Sequence, residues 1–333
     1  WIKVSKPSAK TGLVYNGKTQ IGVPSGTGYT ITGNKATNAG TYTAKVTLKD
    51  GFKWSDGSTS KTRSITWTIA KKKPTVKAPT AKTIVYNGYA RTLINAGSTS
   101  NGTMKYSLSQ SGTYSTTIPK KTNVGVYKVW YKVVGTTNYA GTSPKYVIVK
   151  IRPQKAVISG WGNTSEGLKI KWNKVSSASG YQIFRGTTLI KTISGNSTFS
   201  YVDTDTKNYG SGSAVTYYVR AYYKNSIGTA YGPKSNARRT YRVKAPLSVS
   251  ATAGNGYIRL SYTEMSNVAG YDIYRSTSRT GTYSKVKSVT GTSYKNTGLT
   301  KGKTYYYKIK SYIRTSDNKY TSAYSSVVYA TVK

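Results

Sequence analysis

The 333-residue chain contains no cysteine and no histidine. Disulfides, Cys/His zinc sites, thiol nucleophiles and histidine-based triads are excluded together. Acidic residues are nearly as scarce: 8 Asp and Glu stand against 51 Lys and Arg, a formal charge of +43. From Gly57 to Ser165 there is no carboxylate at all. General acid–base chemistry needs two positioned titratable groups, usually including a carboxylate or histidine. The close acid pairs are Asp50/Asp56 and Asp203/Asp205, each in a Gly-, Ser-, Thr- or Asn-rich turn where aspartate serves local backbone hydrogen bonding. Lys207 beside Asp203 and Asp205 argues against calcium in 201–208. Phosphate-binding loops, dinucleotide fingerprints and nucleophile elbows are also missing. The chain is therefore expected not to be an enzyme and to need no cofactor or metal. It lacks any run of 18 apolar residues, so no transmembrane segment is expected. No leader or sorting signal is visible, and the abrupt start at Trp1-Ile2-Lys3 reads as part of something longer.

What the chain does have is internal repetition. Gly180-Tyr181-Gln182-Ile183-Phe184-Arg185 returns 90 residues later as Gly270-Tyr271-Asp272-Ile273-Tyr274-Arg275. Before the first copy, Leu168, Ile170 and Trp172 alternate with Lys169 and Lys171. Before the second, Ile258, Leu260 and Tyr262 keep the same rhythm, as expected of antiparallel strands. In the first half, Tyr15-Asn16-Gly17 is answered 71 residues on by Tyr86-Asn87-Gly88. Asn38-Ala39-Gly40 is answered by Asn123-Val124-Gly125. Asn-Gly suits a turn with positive φ. Tyr42, Ala44, Val46 and Leu48 alternate with Thr43, Lys45, Thr47 and Lys49, giving one buried and one wet face. Helical periodicity is sustained nowhere. Pro-bearing joints at 71–74, 152–154 and 243–246 divide the chain into 1–71, 72–153, 154–244 and 245–333. Joints this short predict semi-rigid beads on a string. The predicted class is all-β.

The Trp-bearing strand, the Gly-Tyr-x-Ile strand and the stretch 299–312 resemble bacterial fibronectin type III domains, in two copies over roughly 155–333. Leu299 and Tyr305, six residues apart, match that family's tyrosine corner, whereas Val215 falls at the corner position of the earlier copy. The paired turn signatures of 10–150 resemble bacterial Ig-like repeats found in surface proteins of Gram-positive gut anaerobes. The resemblance implies tandem Ig-like and fibronectin type III β-sandwich domains, the first two being of sandwich or β-grasp type. It also implies an extracellular protein, secreted or wall-attached, whose ligand is set by surface detail. Adhesins and immunoglobulin-binding surface proteins are built this way.

Function is then expected at the surface. The 33 tyrosines exceed what four small cores need. By strand period, Tyr218, Arg220 and Tyr222, with Lys224, form an outward stripe in 154–244. Tyr306, Lys308, Lys310 and Tyr312 form another in 245–333. Both serve either sheet stability or recognition. Trp172 and Trp67 are expected in cores, and Trp54 as a plug. Trp130 shares an outer face with Lys128 and Lys132, covered by their alkyl stems, a neighbouring bead or a partner. The even spread of positive charge calls for an anionic partner. The candidates are a host extracellular protein or mucin, an anionic glycan and an anionic cell-wall polymer. Nucleic acid would be bound only non-specifically. A monomer is expected, as stalk and adhesive surface or as the accessory region of a secreted glycan-active enzyme.

Overall fold

The computed structural model describes all of Trp1–Lys333. Strand follows strand throughout, and the sole helical piece is a five-residue 3-10 turn, Thr204–Asn208. The chain is all-β. It forms two compact units: Trp1–Ile84 with Gly88–Ile151, and Arg152–Lys333 with Val85–Asn87.

In the first unit, strands Tyr29–Thr32, Gly40–Leu48 and Thr62–Ile69 make an antiparallel sheet. Alternation sends Ala44, Val46, Leu48, Ile65, Trp67 and Ile69 into one core, where Trp54 is also buried. The Trp54 indole donates to the Ser60 carbonyl at 2.8 Å, and that of Trp67 to Gly33 at 2.9 Å. Both polar tips are thus satisfied, as burial of tryptophan requires. Trp67 lies flat against Gly22, where any Cβ would overlap its ring. A second sheet joins Thr103–Ser107, Gly125–Val134 and Lys145–Arg152. No helix lies on either sheet.

The recurring turns have a local cause. Gly17 and Gly88 take φ of 81° and 85°, which their missing Cβ permits. In each Asn-x-Gly turn a tyrosine four residues on donates back to the asparagine carbonyl: Tyr42 to Asn38 at 2.7 Å, Tyr127 to Asn123 at 2.8 Å. Asn138 reaches the first of these turns, donating to Asn38 Oδ1 at 3.0 Å and accepting from the Ala39 amide at 2.8 Å. Its own carbonyl accepts from the Lys72 amide at 3.0 Å. The Lys71–Lys73 stretch is therefore held down, not a free linker.

The second unit repeats one sandwich. Its first copy packs Ile158–Thr164, Gly167–Trp172 and Ser200–Asp203 against a sheet of Thr188–Ser194, Gly180–Arg185, Ala214–Asn225, Gly228–Tyr231 and Arg238–Tyr241. The second copy has the same order, from Ser250–Gly254 to Val328–Thr331. Trp172 is buried against Tyr181, with centroids 5.4 Å apart, and Tyr262 takes its place against Tyr271 at 4.7 Å. The Tyr262 hydroxyl donates to Gly291 at 2.9 Å, whereas the Trp172 indole nitrogen has no acceptor.

The corners differ. Tyr305 accepts from the Thr300 amide at 3.4 Å beside buried Leu299. In the earlier copy Val215 replaces that tyrosine and Asp203 pins the region instead. Asp203 is 1% exposed, and its carboxylate takes Arg185 at 3.0 Å and the Tyr217 hydroxyl at 2.6 Å. The expectation that Asp203 merely serves its turn is corrected: its carboxylate is buried and bonded to side chains. Asn296 stands at the matching register position and donates to Tyr307 at 2.8 Å.

Two predicted surface residues are also corrected. Tyr222 and Tyr312 are 9% and 6% exposed. Each pairs directly across the sheet with the glycine of a Gly-Tyr motif, Gly180 and Gly270. A Cβ on either glycine would come within 2.8 or 2.7 Å of the facing tyrosine hydroxyl. The glycines leave a notch and the rings lie in it, so both tyrosines are covered although period two still puts them on the outer face.

Candidate functional site

Three outward sheet faces carry the remaining predicted residues. On Gly125–Val134, Val129, Tyr131 and Val133 face the core, while Lys128, Trp130 and Lys132 are half-buried on the other side. Trp130 pairs across the sheet with Tyr146, with ring centroids 4.9 Å apart. Lys128 Nζ sits 4.6 Å over the Tyr146 ring, and Lys132 Nζ 4.3 Å over Tyr114. The lysines thus cap the flanking tyrosines, and a tyrosine covers the indole.

On the outer face of 154–244, Arg220 Nε and Nη2 both donate to Gln182 Oε1, at 3.0 and 2.6 Å. Its guanidinium lies 5.1 Å from Phe184 and 4.4 Å from Tyr231. Lys234 Nζ sits 3.8 Å over Phe184 and 5.5 Å from Tyr218. Rings and cations therefore alternate across the sheet, each contact worth about 0.5–1 kcal/mol where exposed. Burial pushes the Arg220 pKa below its usual value. Phe184, Tyr231 and Lys234 escaped the sequence reading because they stand on three different strands or loops. Only cross-strand register brings them together.

The outer face of 245–333 follows the same plan. Lys308 lies 4.2 Å over Tyr283, and Lys310 lies 4.2 Å over Tyr324. Tyr274 meets Tyr324 edge-on at 5.1 Å, and Tyr306 packs on Tyr329 at 5.5 Å. Asp272, 2% exposed, binds Lys285 at 2.9 Å and Lys319 at 2.6 Å. Burial alone would raise its pKa. Hydrogen bonds from Lys319, Lys285 and Ser288 outweigh burial and hold the carboxyl below its ordinary range.

Acids elsewhere are similarly committed. Asp50 pairs with Lys61, Asp56 with Arg63, Glu166 with Lys207, and Asp205 shares Arg185 with Asp203. Six of the eight carboxylates are thus held by cations. The side chains of Asn163 and Asn196, both in Asn-x-Ser/Thr sequences, are engaged as well.

Two tryptophans were not singled out from sequence. Trp161 is 40% exposed with the Arg238 guanidinium 3.5 Å over its ring. Trp1 lines a cleft of about 530 Å³ with Phe52, Trp54, Asp50 and Lys61. The flanking glycines of Trp161, in Gly160-Trp161-Gly162, were the available signal. What these surfaces offer chemically is cations presented on aromatic supports.

The architecture defines a class: an all-β chain whose second unit repeats one two-sheet sandwich. No family model matches the chain. A 67-residue stretch, 20% of this chain, is 43% identical to the amylopullulanase of Thermoanaerobacterium saccharolyticum and 40% identical to that of Thermoanaerobacterium thermosulfurigenes. The matched stretch spans 5% and 4% of those enzymes. Among solved structures, an Fn3-like protein from Clostridium thermocellum is 22% identical, covering 27% of this chain and 94% of that one, with a TM-score of 0.25. The chicken CNTN1 FN1–FN3 domains are 16% identical, covering 77% and 99%, with a TM-score of 0.33. No helix is long and apolar enough to cross a membrane.

Proposed function

We propose that this chain is a non-catalytic accessory region of a larger extracellular, glycan-active protein, and that it holds that protein on anionic glycan or wall polymer. One observation carries the reading: outward Lys128, Lys132, Arg220, Lys308 and Lys310 rest on tyrosine rings, across three separate faces. A cation stacked on a ring keeps its charge and is pre-oriented, so ordering it against an anion loses less freedom. The likeness to a short part of two amylopullulanases supports a glycan-active neighbour. Adhesion to a host protein or immunoglobulin would use the same faces and has no observation of its own.

Within this reading Trp130, Lys128, Lys132, Tyr218, Arg220, Tyr306, Lys308 and Lys310 form the contact surface. Tyr222 and Tyr312 support it from beneath. The chain acts as a monomer of four segments bounded near 71, 153 and 244. The test is retention of the whole chain on heparin, teichoic acid and neutral pullulan between about 0.15 and 0.5 M salt. Retention on the two anionic polymers, lost as salt rises, is expected. Salt-insensitive retention on pullulan alone, or release of reducing sugar by the chain, would overturn the proposal.

A further inference from the structure

Where the third segment meets the fourth, the chain buries a cation that no carboxylate answers. Arg242 is 4% exposed. Its hydrogen bonds all leave from Nη1, to Asn163 Oδ1 at 3.1 Å, the Thr164 carbonyl at 2.9 Å and the Val243 carbonyl at 3.5 Å. Nε is buried with no acceptor. Glu166 acts on Arg242 from a distance, but its carboxylate is already held by Lys207 at 2.9 Å. Burial consequently pushes the Arg242 pKa down, with Glu166 only partly opposing. A guanidinium removed from water without a paired counter-charge is unfavourable, and Glu166 balances this one only in part.

Arg242 also lines a cleft of about 430 Å³, together with Lys207, Lys244, Ser165, Leu247 and Tyr324. That volume falls within the range of small-molecule sites and exceeds a bare ion. Its lining holds three cations and no carboxylate, Glu166 lying outside it and paired with Lys207. Leu247, 66% exposed, and Tyr324, 42% exposed, give it an apolar wall. Tyr324 is the ring on which Lys310 and Lys308 rest, so the cleft borders the outer face of 245–333.

We propose that this cleft binds one carboxylated sugar residue of an anionic glycan. The carboxylate lies against Arg242 and the two lysines, where charge-assisted hydrogen bonds favour it. Ser165 receives ring hydroxyls, and the apolar side of the sugar rests on Tyr324 and Leu247. The inference builds on the anionic-glycan reading and adds one saturable site distinct from diffuse attraction. The sugar is a uronate of a plant or wall polymer, or a sialic acid of a host glycan.

The experiment titrates the whole chain by heteronuclear NMR at about 0.5 M salt, where attraction between exposed charges is largely screened. Trigalacturonate and sialyllactose are the two anionic probes, and maltotriose is the neutral control. Saturable binding of an anionic probe and none of maltotriose is expected, and the probe that binds identifies the source. Arg242→Gln should weaken binding tenfold or more, the scale of one lost charge-assisted hydrogen bond. Arg242 also ties Asn163, so Leu247→Glu, an exposed change that adds a carboxylate to the cleft, serves as the variant that keeps the fold. It should abolish binding. Lys128→Gln with Lys132→Gln, away from the cleft, should reduce low-salt retention on heparin and leave this titration unchanged. Absence of saturation with both anionic probes, or unaltered affinity in folded Leu247→Glu, would overturn the proposal. Low-salt retention on heparin would survive either result, which separates the two readings.

Discussion

Asn163 and Thr321 are 158 residues apart in sequence and joined by a hydrogen bond of 3.2 Å from the Asn163 amide to the Thr321 carbonyl. The same side chain donates to Tyr241 O at 3.1 Å and accepts from the Val243 amide at 2.9 Å. Tyr241 and Tyr320 pack beside it with centroids 4.9 Å apart, and Ser311 bonds the Lys244 carbonyl. One asparagine thus ties two sandwiches to their connecting strand. Asn138 plays the equivalent part in the first unit.

Asn163→Ala should therefore cost about 2–3 kcal/mol, the net worth of several partly buried hydrogen bonds. Calorimetry should resolve separate transitions for 154–244 and 245–333 where the parent melts them together. A single unchanged transition would show that the proline-bearing joint alone couples them.

Trp172→Ala should destabilise the third segment by about 3–5 kcal/mol through the cavity it leaves between the sheets. Trp172→Phe should cost clearly less, because the indole nitrogen has no acceptor to lose. Urea titrations followed by circular dichroism give both values. Equal losses would mean that the indole nitrogen is hydrogen-bonded in solution.

The fourth segment should be sensitive to acid through Asp272. Its folded carboxyl is held below the usual value, so the stability it contributes is fully present above the unfolded pKa of about 3.9. That contribution is lost as pH falls through the folded value. Thermal melts from about pH 5 to pH 2 should show the loss. Asp272→Asn should lower stability at neutral pH by about 2 kcal/mol, since Lys285 and Lys319 lose their counter-charge, and should flatten the acid limb.

Lys128→Glu combined with Lys132→Glu should slow association with heparin about tenfold, as expected when cations that steer encounter are reversed. Trp130→Ala should act on dissociation more than on association. Surface plasmon resonance at several salt concentrations separates these rates. Unchanged association in the double variant would remove the outer face of Gly125–Val134 from the contact surface.

The strand class was legible because alternation in Gly40–Leu48 and Gly167–Trp172 is nearly unbroken, and each alternation reports one buried face. The Asn-x-Gly turns were legible for their backbone demands. Tyr222 and Tyr312 were misplaced because their burial depends on a glycine on another strand, which period two cannot register. Arg242 was invisible for a different reason: a basic residue among 51 looks solvated until the joint encloses it. The cation–ring ladders stayed hidden because Phe184 and Arg220, or Lys310 and Tyr324, meet only through sheet register.

The commitment of six carboxylates to the chain's own cations leaves the folded form as a dense polyelectrolyte with little internal neutralisation. Unfolding spreads like charges apart, so dilute buffer works against the native state and added electrolyte works for it. A polyanion laid on the native surface does the same work at far lower concentration, and mass action then draws the whole population toward the folded form. The melting temperature of this chain is consequently a gauge of its surroundings: lowest in dilute buffer, highest where anionic polymer is abundant.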